Sequence, residues 1–157
     1  MDRAAGMTTL RSLRLPDGFP DVCTSRRMEV NGLRLHAVTG GNGPALLLIG
    51  GWPQTWYAWR EVMPALARRH TVEAVDPRGT GLSDKPDDGY DASTLAAGLA
   101  ALMAALGDDQ FDVAGHDIGT WTGYALAADH PLAGGPPRHH RSAETRPHPP
   151  LFGPAAA

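Results

Sequence analysis

The sequence predicts an α/β protein whose sheet opens with a hairpin and then alternates strand with helix. Three observations carry that prediction. Two alternating runs flank Asn31-Gly32, a dipeptide suited to the tight turn of a two-residue hairpin. The run Ala45–Ile49 is apolar throughout, as a strand covered on both faces would be. Leu95, Leu99, Leu102, Met103 and Leu106 then recur at helical spacing between two further strand-like stretches.

The elements follow in order. Residues 1–25 hold Pro16, Gly18 and Pro20 and read as a loose leader. Residues 27–30 and 33–38 form the hairpin, and Ala45–Ile49 is the third strand. Residues 56–69 have helical character, with a bend expected at Pro64 because proline removes a backbone donor. Residues 71–75 make the next strand, and residues 76–90, rich in Gly, Pro and Asp, make a loop. The periodic helix should run from a Ser93 cap to a Gly107 stop. Residues 111–114 are a short strand and residues 118–130 a final helix. The order β-β-β-α-β-α-β-α within residues 26–131 argues one α/β unit without internal repeats.

Composition narrows the function. With 157 residues the chain fits one domain and buries a core. Hydrophobic residues at 42% and charged residues at 20% suit a soluble globular protein. A net charge of −3 gives no reason to expect nucleic acid or an anionic membrane as partner. The longest apolar run is far too short to span a bilayer, and no secretory signal is visible in residues 1–18. One cysteine, Cys23, forms no internal disulfide, so a reducing, cytoplasmic setting is the simpler expectation. No base or electropositive neighbour marks Cys23 as a nucleophile.

The end differs from the rest. Residues 131–157 hold 7 of the 14 prolines, so neither a helical nor a strand period survives and a disordered tail is expected. His139, His140 and His148 lack the patterned Cys, Asp or Glu neighbours of a metal site, and no metal or cofactor is expected.

The informative segment is Gly115-His116-Asp117-Ile118-Gly119, directly after a strand and before a helix. Taken alone, Gly-x-Asp-x-Gly reads equally as an ordinary turn. In a strand-to-helix context, small residues two before and two after Asp117 permit a strained turn that lifts its side chain above the sheet. An aspartate there is ionised at neutral pH, its ordinary pKa being near ~3.9. It needs no base to displace a leaving group from saturated carbon and form an ester. Water attack on that ester does need one.

Two further segments are in register with this one. They are Gly50-Gly51-Trp52-Pro53-Gln54-Thr55-Trp56-Tyr57-Ala58-Trp59-Arg60 and Val75-Asp76-Pro77-Arg78-Gly79-Thr80-Gly81-Leu82-Ser83-Asp84-Lys85-Pro86. Together the three resemble the aspartate-nucleophile α/β-hydrolases: epoxide hydrolases, haloalkane dehalogenases and fluoroacetate dehalogenases. The resemblance covers roughly residues 28–131 and implies an α/β-hydrolase fold that stops after the helix following Asp117.

It also implies roles. Asp117 matches the nucleophile, and the backbone N–H groups of Trp52 and Ile118 match the oxyanion hole. Gly51, Pro53, Gly115, His116 and Gly119 match positions that shape the loop and the turn, with Trp52-Pro53 a cis bond. His116 is expected as a structural part of the turn rather than a base. Asp76 and Arg78 read as residues of a hydrogen-bonded turn. Trp56, Tyr57 and Trp59 should pack under the loop, with Trp56 the weaker candidate for a pocket wall. Most relatives carry histidine where this chain has Gly50, a side chain that braces the loop.

Within the group the residues after Asp117 discriminate. Haloalkane dehalogenases commonly place tryptophan next, to hold the halide, and fluoroacetate dehalogenases place arginines there. Ile118, Gly119, Thr120 and Trp121 are neither, which leaves a small hydrophobic epoxide as the expected substrate. The alternatives are a dehalogenase lineage, or a non-catalytic fragment or binding module. In the family the general base and its acidic partner follow later strands, so both are expected to be absent here. A local frame disturbance followed by truncation is the expectation for the tail. With one choice of codons, residues 136–142 read one base on give Arg-Leu-Ala-Ile-Ile-Glu, similar to the strand the family has next.

Overall fold

A computed structural model of the chain describes residues 15–130. The tail at 131–157, its histidines and the frame reading lie outside the described residues, as does the leader before residue 15.

The elements are α1 (Phe19–Val22), β1 (Cys23–Val30), β2 (Leu33–Gly40), β3 (Ala45–Ile49), a 3-10 turn (Trp56–Trp59), α2 (Met63–Leu66), β4 (Thr71–Asp76), α3 (Ala92–Leu106), β5 (Phe111–Gly115) and α4 (Ile118–Asp129). They form one mixed sheet in the order β1-β2-β4-β3-β5. The hairpin pairs Val30 with Leu33 across Asn31 and Gly32, both at positive φ (50° and 73°), the signature of a type I′ turn. β2 runs antiparallel to β4, while β3 runs parallel to β4 on one side and to β5 on the other.

The apolar β3 is buried on both faces. Leu47 and Ile49 join Leu99, Leu102, Met103 and Leu126 under α3 and α4. Leu48 faces the other way, into a cluster with Phe19, Val38, Trp56, Met63 and Val72. Alternation along one strand thus fixes two cores, and both carry the C-terminal end of β3 to the same place. Ligand sites of open α/β sheets lie at such carboxyl ends.

Three expectations are corrected. The leader read over residues 1–25 gives way at its end to structure: Phe19 is fully buried in α1, and β1 begins at Cys23. Residues 56–69 are not one bent helix but a 3-10 turn followed by α2. Pro64 sits in the first turn of α2, where its missing N–H has no intrahelical role. The α3 cap is Asp91, whose side chain accepts the Thr94 N–H, not Ser93, whose hydroxyl reaches Asp129 at 3.0 Å. The stop at Gly107 is in place, at φ 96°.

Among the described residues β5 pairs on one side only, and all five of its residues are half-buried. Trp121 and Tyr124 on α4 are 73% and 74% exposed. No helix among the described residues is long and apolar enough to cross a membrane.

Candidate functional site

The strand-to-helix turn forms because glycine is the only residue the packing accepts on either side of it. A Cβ on Gly115 would lie 2.5 Å from the Gly119 carbonyl oxygen, and one on Gly119 would lie 2.4 Å from the Ile49 carbonyl oxygen. With β5, α4 and β3 in backbone contact, the chain must reverse within Gly115–Gly119. Asp117 absorbs the reversal at φ 54°, ψ −126°, a conformation costly for any side-chain-bearing residue. The His116 N–H donates to the Ile49 carbonyl at 3.1 Å, and its own carbonyl accepts from Gly119 at 2.9 Å. Those bonds tie the turn to β3.

The Asp117 side chain is exposed, yet it is not free. Its Oδ2 accepts the Trp52 backbone N–H at 3.0 Å. These bonds, from the N–H of Trp52 and then of Ile118, hold the carboxyl below the usual carboxylate range, with a smaller contribution from the charge of His116. The loop after β3 therefore meets the turn after β5 at one carboxylate. Gly51 permits the meeting, since a Cβ there would come within 2.6 Å of the Asp117 Cβ. The Trp52–Pro53 bond is cis. Beside both donors is a cavity of about 410 Å³, lined by Gly50, Trp52, Ile118, Gly119, Tyr90 and Leu95 among others.

Trp56 is not part of that lining. It is buried in the second core, 5.8 Å from the Phe19 ring and 5.7 Å from Tyr57, centroid to centroid. Its backbone N–H donates to Asp76 Oδ1 at 2.7 Å.

Asp76 does far more than close a turn. It is fully buried, and its Oδ2 accepts from His36 Nδ1 at 2.8 Å and from the Leu82 N–H at 3.0 Å. His36 in turn meets Ser25 Oγ at 2.8 Å through Nε2, and the Ser83 hydroxyl donates to the Asp76 carbonyl. Burial opposes the charge on Asp76, but the His36, Leu82 and Trp56 bonds outweigh it and hold the carboxyl below its ordinary value. Its partners come from three separate segments, so no local pattern in the sequence could reveal them. Arg78 packs its guanidinium on Gly89 and pairs with Asp88 at 3.4 Å. Gln54 was also missed: its Oε1 accepts the Gly51 N–H at 3.0 Å, within the loop that carries Trp52.

Cys23 is buried, which pushes its thiol up to about 11, so it stays protonated and unreactive at neutral pH. No cluster of metal-ligating side chains exists among the described residues.

Comparison with known proteins shows the family. The family model described as alpha/beta hydrolase fold matches residues 44–137, which include the loop after β3 and the Asp117 turn. The chain belongs to the α/β-hydrolase family. It is 46% identical over 106 residues to a soluble epoxide hydrolase of Corynebacterium sp. (strain C12), covering 68% of this chain and 37% of that one. It is 40% identical over 111 residues to a fluoroacetate dehalogenase of Burkholderia sp, covering 68% and 36%. The solved structure of epoxide hydrolase CorEH without ligand superposes with a TM-score of 0.69 at 44% identity, over 70% of this chain and 39% of that one. The α/β-hydrolase chain described here thus spans less than two fifths of the length of these relatives.

Proposed function

We propose that this chain carries the nucleophilic part of an epoxide hydrolase, with Asp117 as the nucleophile. One observation carries the reading. An exposed, ionised carboxylate stands on a strained turn and receives two backbone N–H groups, from Trp52 and Ile118. In that arrangement a carboxylate oxygen attacks an epoxide carbon. A C–O ester bond forms, the ring C–O bond breaks, and the departing alkoxide takes a proton from solvent or an acid. When water attacks the ester carbonyl, negative charge gathers on the oxygen that faces Trp52 and Ile118, and the same two N–H groups stabilise it. The diol leaves and the carboxylate is restored.

A small hydrophobic epoxide suits the cavity beside the donors, whose wall includes Trp52, Ile118, Tyr90 and Leu95. Similarity to the soluble epoxide hydrolase supports that class. A dehalogenase would share the first step, with halide as leaving group, and the fluoroacetate dehalogenase relative keeps that second reading in view. The absence of a cation at Ile118, Gly119, Thr120 or Trp121, where a substrate carboxylate would be gripped, favours the epoxide. A buried single cysteine fits a cytoplasmic setting. No nucleic acid, membrane or cofactor enters the scheme.

Among the described residues no histidine hydrogen-bonds Asp117, so water attack on the ester has no evident base. Without a base for that step the ester should accumulate rather than turn over. Incubation with styrene oxide and, in parallel, chloroacetate, followed by peptide mass spectrometry, tests this. The expected product is one intact epoxide added at Asp117, absent from Asp117→Ala. Adduct from chloroacetate alone would move the chain to the dehalogenase reading, and adduct at neither would reject Asp117 as nucleophile.

A further inference from the structure

The Trp52 N–H points at Asp117 only if the peptide unit joining Gly51 to Trp52 keeps one orientation. In a trans peptide the C=O and N–H of one unit point in opposite directions, so holding the oxygen aims the hydrogen. The Gly51 oxygen is held: it accepts the Gln54 backbone N–H at 2.7 Å. The preceding peptide unit is held as well, because the Gly51 N–H donates to Gln54 Oε1 at 3.0 Å. One residue thus grips the peptide planes on both sides of Gly51, a residue whose missing Cβ would otherwise leave both planes free to turn.

No neighbouring side chain can take over. A side chain at residue 51 would collide with Asp117, its Cβ falling 2.6 Å from the Asp117 Cβ. Gly50 offers none, and the space its Cβ would enter is bounded by Gln54 itself, with Cβ at 3.5 Å and Oε1 at 3.8 Å. Asp76 anchors the chain further on, at the Trp56 N–H, and leaves residues 51–54 to their own bonds.

We propose that Gln54 is a positioning residue for the oxyanion-hole donor Trp52, acting through its side-chain amide oxygen on the Gly51 N–H. The inference rests on Asp117 being the reactive group, but its test needs no epoxide. Failure here and failure of the nucleophile assignment are therefore separable.

Three substitutions dissect the contact. Gln54→Ala removes both acceptor and bulk, Gln54→Met keeps the bulk without the acceptor, and Gln54→Glu keeps the acceptor. In Ala and Met the Trp52 amide should exchange its hydrogen about five- to tenfold faster, the equivalent of one lost hydrogen bond. The Asp117 carboxyl, followed by carbon NMR, should in both rise toward the ordinary carboxylate range. Gln54→Glu should keep Trp52 protected; it is read by exchange alone, because its added charge would itself raise Asp117. Leu102→Ala serves as the control for general destabilisation, since it opens the core without touching the loop, and it should leave the Asp117 titration in place. An unchanged Asp117 titration in both Ala and Met overturns the proposal. So does an effect seen in Ala but not Met, which would make Gln54 a space filler.

Discussion

Two aspartates stand at the carboxyl ends of strands on either side of β3, and their surroundings give one chemical group two opposite properties. Asp76 ends β4, fully buried, with Oδ1 on Trp56 and Oδ2 shared by His36 and Leu82. Asp117 follows β5, exposed, at φ 54°. Both carboxyls lie below the ordinary range and both accept backbone N–H groups. Hydrogen bonds therefore set the charge state at both places. What differs is access and strain: Asp76 is enclosed by its partners and riveted to three segments, while Asp117 keeps an open side and stores conformational energy.

Removing the rivet gives the largest expected effect. Asp76→Ala leaves the His36 ring and the Trp56 N–H buried without an acceptor, and the part-buried Leu82 N–H unpaired. Breaking a buried pair in this way costs about 3–5 kcal/mol. Urea or guanidinium unfolding measures it, and a loss below about 1 kcal/mol would show that Asp76 is not the junction it resembles. The pH dependence has a definite sign. A carboxyl held below its unfolded value contributes its stability above that value, near ~3.9, and loses it as pH falls through the lower native pKa. Acid unfolding should therefore be gentler in Asp76→Ala than in the parent chain.

Glu73 sharpens the comparison, because it is a buried carboxyl whose surroundings favour the protonated form. It lies on β4, 2% exposed, with Oε2 unpartnered. Burial first, and then the charge of Asp108, push it up to about 8. This is the reverse sign. The native state holds a proton that the unfolded chain releases above ~4.3, so the contribution is complete below that value and is lost as pH rises through about 8. One proton sets a ceiling of about 1.4 kcal/mol per pH unit, and we expect a loss of roughly 2–3 kcal/mol from about pH 5 to about pH 8. Glu73→Gln should flatten that limb of the stability profile; an unaltered limb would mean that Glu73 is already ionised.

The same contrast explains what was legible in the sequence. The hairpin at Asn31-Gly32, the twice-buried β3 and the Gly107 stop each rest on a few adjacent residues, and each stands where the pattern put it. The positions around Asp117 were legible for a similar reason, since two glycines at fixed spacing make a local demand on the backbone. Asp76 was legible only as the turn that Leu82 closes, because His36 and Trp56 lie far from it along the chain and that part of its role is tertiary. Gln54 escaped because a glutamine in a loop is ordinary until the Gly51 N–H is seen beside it. Residues 56–69 misled for a different reason: their helical composition was real, but Pro64 begins a new turn instead of bending an old one.

The smallest expected effect isolates the strain at Asp117. A side-chain-bearing residue at φ 54°, ψ −126° costs of order 1–3 kcal/mol, whereas glycine adopts that region freely and loses roughly 0.5–1 kcal/mol to its looser unfolded state. The bonds lost from Trp52 and Ile118 are at an exposed site, where water replaces the carboxylate. Asp117→Gly should thus raise stability by about 1 kcal/mol while abolishing any adduct. Asp117→Ala keeps the strain and removes the carboxylate, so it should show no such gain. At position 76 glycine should be no better than alanine, and worse by roughly 0.5–1 kcal/mol for its looser unfolded state, because there the loss is of hydrogen bonds and not of strain. Denaturant midpoints for the four variants decide the matter. Equal stability of Asp117→Gly and Asp117→Ala would mean that the turn stores nothing, and the two aspartates would then differ in exposure alone.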